Sequence, residues 1–369
     1  MNAPPRPHRH AAGFSLVEIM VAMLVSLFLL AGVLQLYLGN QQTSRLGNSV
    51  GEVQQAGQFA LDELVNNVRM AAFQGCARMD LNNLFPPPKI LALNTPTTNL
   101  ADTAVRGFEV AANGTWTGGA APANWNGAVP RPLSDVLQVQ GGSRAVVNLA
   151  STMSSESAAV ALASNPDNIV AGEMVLIADC SAVNVFRVTS VTGGLTLVHT
   201  TSDNSSASLA KPYAHTGLNA AQATRFNSWV YFVRDSGRDA ADGSAIFSLY
   251  RLDTSRLNQT AQELVEGVEY LQVLYGQRVP NSGNINYFTA PSVTDWSQVV
   301  AVKLALLVAS RDPVLDVNDA TAGYALLDQT VAKTGTSGAA ITYPNDRRLR
   351  RVFAATVNVR NRRDLPDNP

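Results

Sequence analysis

Glu18 places a single carboxylate at the start of a long apolar run, and Ile19 to Leu34 follow it without a charge, with only Ser26 and Gly32 as mildly polar positions. An acid at mid-membrane costs about 2.5–3.5 kcal/mol, and less toward the end of a span. The chemistry open to Glu18 is therefore charge pairing, and a cation must be supplied. A cut after Gly13 would supply one, the new amine of Phe14. Gly47-Asn48-Ser49-Val50-Gly51 has the G-x-S-x-G spacing of a nucleophile elbow. That motif needs a strand before it and a helix after it; these residues lie inside a helical pattern, so the glycines are read as bending points. Cys76 and Cys180 are the two cysteines of the chain. Oxidised, they would close a loop of about 105 residues and stabilise by up to about 4.7 kcal/mol in the chain-entropy account; the other reading is two buried thiols. Combined with His199 and His215 they show no metal-ligand spacing.

Two further groups carry charge. The stretches 235–243 and 312–319 hold clustered aspartates that miss the spacing of a calcium loop, and acids forming turns between strands account for them. Near the end, Arg347, Arg348, Arg350, Arg351, Arg360, Arg362 and Arg363 stand against Asp346, Asp364 and Asp367. Nucleic-acid binding by such a patch asks for aromatics that stack on bases. Phe353 alone lies inside it and is read as facing the core. No nucleic-acid partner is inferred, and the patch is read as a solvated strand edge or a salt-bridging contact with a neighbouring subunit.

The elements that position these groups follow from periodicity. From Phe14 to Leu34 a helix covers roughly 31 Å, the hydrocarbon thickness of a bilayer. Arg6 and Arg9 precede the span and favour the cytoplasmic side, leaving the bulk of the chain outside. Apolar positions then continue at Val50, Val53, Ala60, Leu61, Leu64, Val65, Val68 and Ala72, opposite Glu52, Gln55, Gln58, Asp62, Asn66 and Arg69. One helix of about 90 Å is predicted from Phe14 to Phe73, kinked near Gly39 or 47–51, with Gly75 as its stop. Prolines and glycines mark 80–130 as irregular, with a short strand at 106–111 and Trp116 and Trp125 in loops open to a ligand or partner. Strands are predicted at 135–140, 173–178, 185–191, 195–200, 229–234, 245–252, 268–275, 299–309 and 352–360, the penultimate one central in its sheet. One helix followed by turn-linked strands makes an α+β fold with mainly antiparallel sheet.

Composition sets the outer bounds. At 369 residues the chain is long enough for one large or two modest domains outside a membrane. Its formal net charge of −1 advertises neither nucleic acid nor an acidic substrate, and charged residues make up 15% against a usual quarter. That suits an exported, loop-rich β protein. No acid, base and nucleophile set emerges that would make an enzyme, and no cofactor is implied.

Gly13-Phe14-Ser15-Leu16-Val17-Glu18, with its basic leader and apolar run, resembles the class III signal of type IV pilins and type II secretion pseudopilins. Cys76 after Gly75, Asp179-Cys180 before Val185-Phe186-Arg187-Val188-Thr189, the run Glu263 to Glu269, and the closing Arg350 to Asn361 resemble the PilW family of type IV pilus minor pilins, relatives of the J-type pseudopilin. The resemblance implies a pilin-like fold enlarged by extra strands and loops. It implies a leader over 1–13, a transmembrane helix over 14–38, a stalk helix over 39–75 and a periplasmic β-rich region over 76–369. A prepilin peptidase would cut between Gly13 and Phe14 and methylate Phe14. Glu18 would pair with the terminal amine of a neighbouring subunit. The partners implied are other minor pilins, the major pilin, the inner-membrane assembly platform and a tip adhesin. The work implied is priming pilus assembly from the inner membrane and capping the tip; a secretion pseudopilin and a surface adhesin or DNA-binding pilin are the alternatives.

Overall fold

The computed structural model describes residues 15–76, 87–117, 119–279 and 282–362. Its first element is a single α-helix, Leu16–Met70, of 55 residues, about 83 Å long at 1.5 Å per residue. It runs uninterrupted through Gly39, Gly47 and Gly51. Glycine weakens a helix by about 1 kcal/mol, but no proline or inserted group here forces a bend. The helix also ends earlier than predicted. Ala72 turns left-handed at φ 63°, and its N–H leaves the helix for the Gln140 carbonyl at 2.9 Å while Gly142 N donates to Phe73 O at 2.8 Å. Sheet pairing, not Gly75, stops the helix. From the far end of the chain, Asn361 Nδ2 donates to Ala71 O at 3.0 Å, serving a carbonyl that a helix terminus leaves without an internal partner.

The second half of the helix presents Ser49, Val53, Gly57, Ala60, Leu64 and Val68 as its buried stripe, at the three- and four-residue steps of one helical face. The stripe lies on a four-stranded antiparallel sheet in the order Ile285–Phe288, Val268–Arg278, Val299–Ala309, Arg350–Asn358. Leu64, Val68, Val302, Leu304, Leu306 and Val357 share one core. Gly57 is required there: a Cβ would fall inside the Phe353 ring. The strand predicted at 299–309 is present with those bounds, whereas the last one spans Arg350–Asn358 rather than 352–360.

A ten-stranded sheet holds most of the remaining chain. Its organiser is Gln222–Asp239, 18 residues long where the sequence pointed only to 229–234. Its first part pairs with Met174–Ala178, its middle with Val136–Gly142, and its second half with Ala245–Asp253. The middle partner also carries Val105–Val110 on its other side. Thr224 and Ser228 are buried in the long strand, so polar residues interrupt the alternation that would have revealed its length. A separate core around Phe186, Leu197, Leu209 and Tyr213 forms a lobe on this sheet. A three-stranded sheet of Gly323–Leu326, Gln329–Lys333 and Ile341–Tyr343 covers Ala305 and Leu307. Two pairings are parallel, 89–90 with 184–185 and 331–333 with 341–343. The α+β expectation of one long N-terminal helix on mainly antiparallel sheet, enlarged by extra strands, holds.

Candidate functional site

The upper half of the helix has no cover among the described residues. Between Leu16 and Leu38 the large apolar side chains are 46% to 75% exposed. Their backbone is satisfied internally, and so is the Ser26 hydroxyl, which donates to Met23 O at 2.9 Å, as lower down Thr43 Oγ1 does to Gly39 O at 2.9 Å. Such a surface is stable in hydrocarbon or against other helices, and not in water. The helix is long and apolar enough to cross a membrane.

Glu18 sits in the first turn of this helix, where an anion gains about 0.3–1 kcal/mol from the helix dipole. It shares a groove-like face with Val21, Ala22, Val25, Ser26 and Leu29. No cation faces it among the described residues. Gly13 and Phe14, the residues of the expected cleavage, lie outside the described residues.

Lower down, polar contacts fix the helix to the sheets. Glu63 Oε1 accepts from Tyr231 Oη at 3.0 Å and from Arg251 Nη1 at 2.9 Å. The Arg251 guanidinium lies 4.2 Å over the Trp229 ring. Burial pushes the Tyr231 phenol well up, and the Glu63 charge adds to it. Beyond the helix, Cys76 and Cys180 are joined in a disulfide with Cα atoms 5.1 Å apart. This ties the helix exit to the turn after Met174–Ala178. In that turn Asp179 Oδ1 accepts from the N–H groups of Ser181 and Ala182 at 2.8 and 2.9 Å. Burial raises the Asp179 carboxyl, but Lys211 and these donors outweigh it and hold it below the usual range.

The other chemistry-bearing residues are dispersed. Ser49 of the G-x-S-x-G match is buried inside the helix, against the sheet. His199 Nε2 bonds Ala158 O at 3.0 Å and His215 Nδ1 bonds Thr152 Oγ1 at 2.9 Å, each away from the cysteines. Asp235 and Asp242 accept from Gly237 N and Ser244 N, as turn acids do. Trp116 and Trp125 are not an open contact surface. Trp116 packs edge-on against Phe108 and Trp125, and Trp125 against Phe232, closing a small core.

The arginine-rich tail also differs from the sequence reading, because three of its six described arginines are interior, and Arg363 lies outside the described residues. Arg350 makes two-pronged contacts with Glu269 (2.8 and 3.1 Å) and Asp346 (2.6 and 2.8 Å) while fully buried. Arg348 is buried against Ser244. Arg362 is buried with its guanidinium on the carbonyls of Trp296 (2.6 Å), Val299 (2.9 Å) and Ala101, and burial lowers it to about 10. Arg187, in the Val185 to Thr189 run, is likewise interior and donates to the carbonyls of Gly172, Ser255, Leu93 and Asn94. Apart from Asp346, four positions before Arg350, their partners are far away in sequence, which is why sequence reading placed the tail in solvent.

Residues 230–361 match the family model described as Type IV Pilus-assembly protein W, a segment that contains the whole four-stranded sheet and the buried Arg348 and Arg350 contacts. Residues 8–34 match the prokaryotic N-terminal methylation motif, the segment that contains Glu18 and the unpartnered apolar helix. No curated protein and no solved structure matches the chain significantly. A helix long and apolar enough to cross a membrane, with a prepilin-type start and a β-rich body of which residues 230–361 match the pilus-assembly family, supports a type IV pilus minor pilin of the PilW type.

Proposed function

We propose that the protein is a non-enzymatic prepilin that joins other minor pilins in an inner-membrane complex, primes assembly of the major pilin on the assembly platform, and caps the tip. The observation that carries this reading is the apolar upper helix, uncovered among the described residues and bearing one acid in its first turn. Prepilin peptidase removes residues 1–13, and the methylated amine of Phe14 begins the mature chain. In the bilayer 14–38 stores the subunit and 39–75 links it to the periplasmic body, 76–369. On assembly the same apolar surface moves from lipid to neighbouring helices, so little apolar area changes its kind of environment. What changes is Glu18, which gains the terminal amine of a neighbour and is neutralised between subunits. The Cys76–Cys180 bridge forms after export, in an oxidising compartment. The bulk of a body with an added lobe and an added three-stranded sheet favours a terminal place, where a tip adhesin can sit on it.

The test is a deletion strain complemented with the natural chain or with Glu18→Ala, counting surface pili and measuring export of type II secretion substrates. The expected result is lost pili with normal secretion, rescue by the natural chain, and no rescue by Glu18→Ala despite normal membrane insertion. Normal pili with failed secretion would move the protein to the pseudopilins. Full rescue by Glu18→Ala would refute the charge-pairing account.

A further inference from the structure

The strand Arg350–Asn358 is the outer edge of the four-stranded sheet, and its far side is unpaired among the described residues. Its register with Val299–Ala309 fixes which groups point outward. Val359 N donates to Val300 O at 2.9 Å and Ser310 N to Leu349 O at 2.8 Å. In an antiparallel ladder the bonded pairs alternate, so the odd-numbered residues bond inward. Val352, Ala354, Thr356 and Asn358 therefore aim their N–H and C=O groups out of the sheet. All four residues are exposed. From Val352 to Val357 the edge carries no charge and no proline, and a bare edge of that composition invites pairing. It lacks the usual protections because, on this reading, it is used.

Charge identifies what it takes. With Arg348, Arg350 and Arg362 committed to interior partners, the basic residues left beside the edge are Arg347, Arg351 and Arg360. Each is exposed and has no ion pair among the described residues. They bracket the apolar stretch at both ends. Phe353 and Ala355 of the same strand pack toward the helix stripe, so the edge runs alongside the lower half of the helix. We infer that this edge is a docking site for an extended, acid-flanked segment of an adjacent subunit in the minor-pilin complex, added as a fifth antiparallel or parallel strand. The inference rests on the minor-pilin reading above.

Hydrogen exchange of the full-length chain, alone in detergent and in the complex extracted with its co-expressed minor pilins, tests it. The amides of Val352, Ala354, Thr356 and Asn358 should exchange rapidly in the free chain and slow by at least about 100-fold in the complex. Ala354→Pro removes an outward N–H without removing an internal ladder bond. It should leave abundance and melting of the free chain unchanged while reducing co-extracted partners about tenfold. Arg351→Glu with Arg360→Glu should weaken capture on the order of tenfold, with a reduced salt dependence. An intact complex whose edge amides still exchange rapidly would overturn the inference and leave the minor-pilin reading standing. Protection already present in the free chain would overturn it too, by showing that the chain covers its own edge. Absence of any complex in a strain with normal pili would overturn both.

Discussion

Gly57 and Gly51 sit six positions apart on one helix, and the same substitution at each should act with opposite sign. At Gly51 an added Cβ meets nothing within 4 Å, so Gly51→Ala gains the helix propensity of alanine, about 1 kcal/mol. At Gly57 the Cβ lands inside the Phe353 ring. Either the helix lifts from the sheet or the ring swings toward the open edge and leaves the core. Overpacking of this kind costs about 1–3 kcal/mol, and the propensity gain offsets about 1 of it. Gly57→Ala should therefore be destabilising by up to about 2 kcal/mol net, and about 1–3 kcal/mol worse than Gly51→Ala. Thermal unfolding of the full-length chain in detergent reads this as a separation of several degrees, since 1 kcal/mol moves the midpoint by about 2–4 °C for a domain of this size. Gly57→Ala combined with Phe353→Leu should recover part of the loss, because the smaller side chain vacates the overlap. Equal midpoints for Gly51→Ala and Gly57→Ala would refute the claimed helix–sheet contact.

Three further outcomes follow from the interior. Arg350→Met strands Glu269 and Asp346, and should cost about 3–5 kcal/mol; adding Glu269→Gln should return part of it, read by denaturant midpoint. Burial raises the Asp135 carboxyl well above its ordinary range although Val273 N–H donates to it at 2.7 Å. A raised acid favours the fold below its unfolded pKa and loses that contribution as pH climbs through the folded value. Asp135→Asn should therefore stabilise the protein at pH 7, leave it nearly unchanged at pH 4, and flatten the stability profile between them. Reduction, or Cys76→Ser, should cost about 2–5 kcal/mol by releasing a closed loop of 104 residues' separation, seen as a lower midpoint that reductant no longer changes in the variant.

The parts of the fold that were legible in sequence are those whose partners lie nearby or whose pattern is uniform. Val299–Ala309 was readable because eleven nearly uncharged residues covered on both faces leave a continuous signal. The stripe from Val53 to Val68 was readable because helical period and burial agree. The long strand Gln222–Asp239 was not, since its buried Thr224 and Ser228 bond to groups on other strands. The sheet at 323–343 hid in strands of three to five residues separated by turn formers. Within the candidate site, Glu18 stood out because its surroundings are apolar in sequence as well as in space. The arginine tail misled because a chain read in order cannot show that Glu269 and the carbonyls of Trp296 and Ala101 lie beside it.

The Asn361–Ala71 contact joins positions 290 residues apart, and with the Gly57–Phe353 contact it makes the last strand the floor under nearly the first element. The order of synthesis therefore matters. The helix emerges early, yet its apolar stripe finds its seat only after Arg350–Asn358 arrives, a closure of very high contact order. Until then the subunit is a tethered intermediate with an adhesive flank, the kind of species that aggregates or engages chaperones. A chain cut short before Arg350 would keep its anchor and most of its strands but never complete this step. Quality control over the subunit thus amounts to a check that Arg350–Asn358 has been made, carried out by the fold itself.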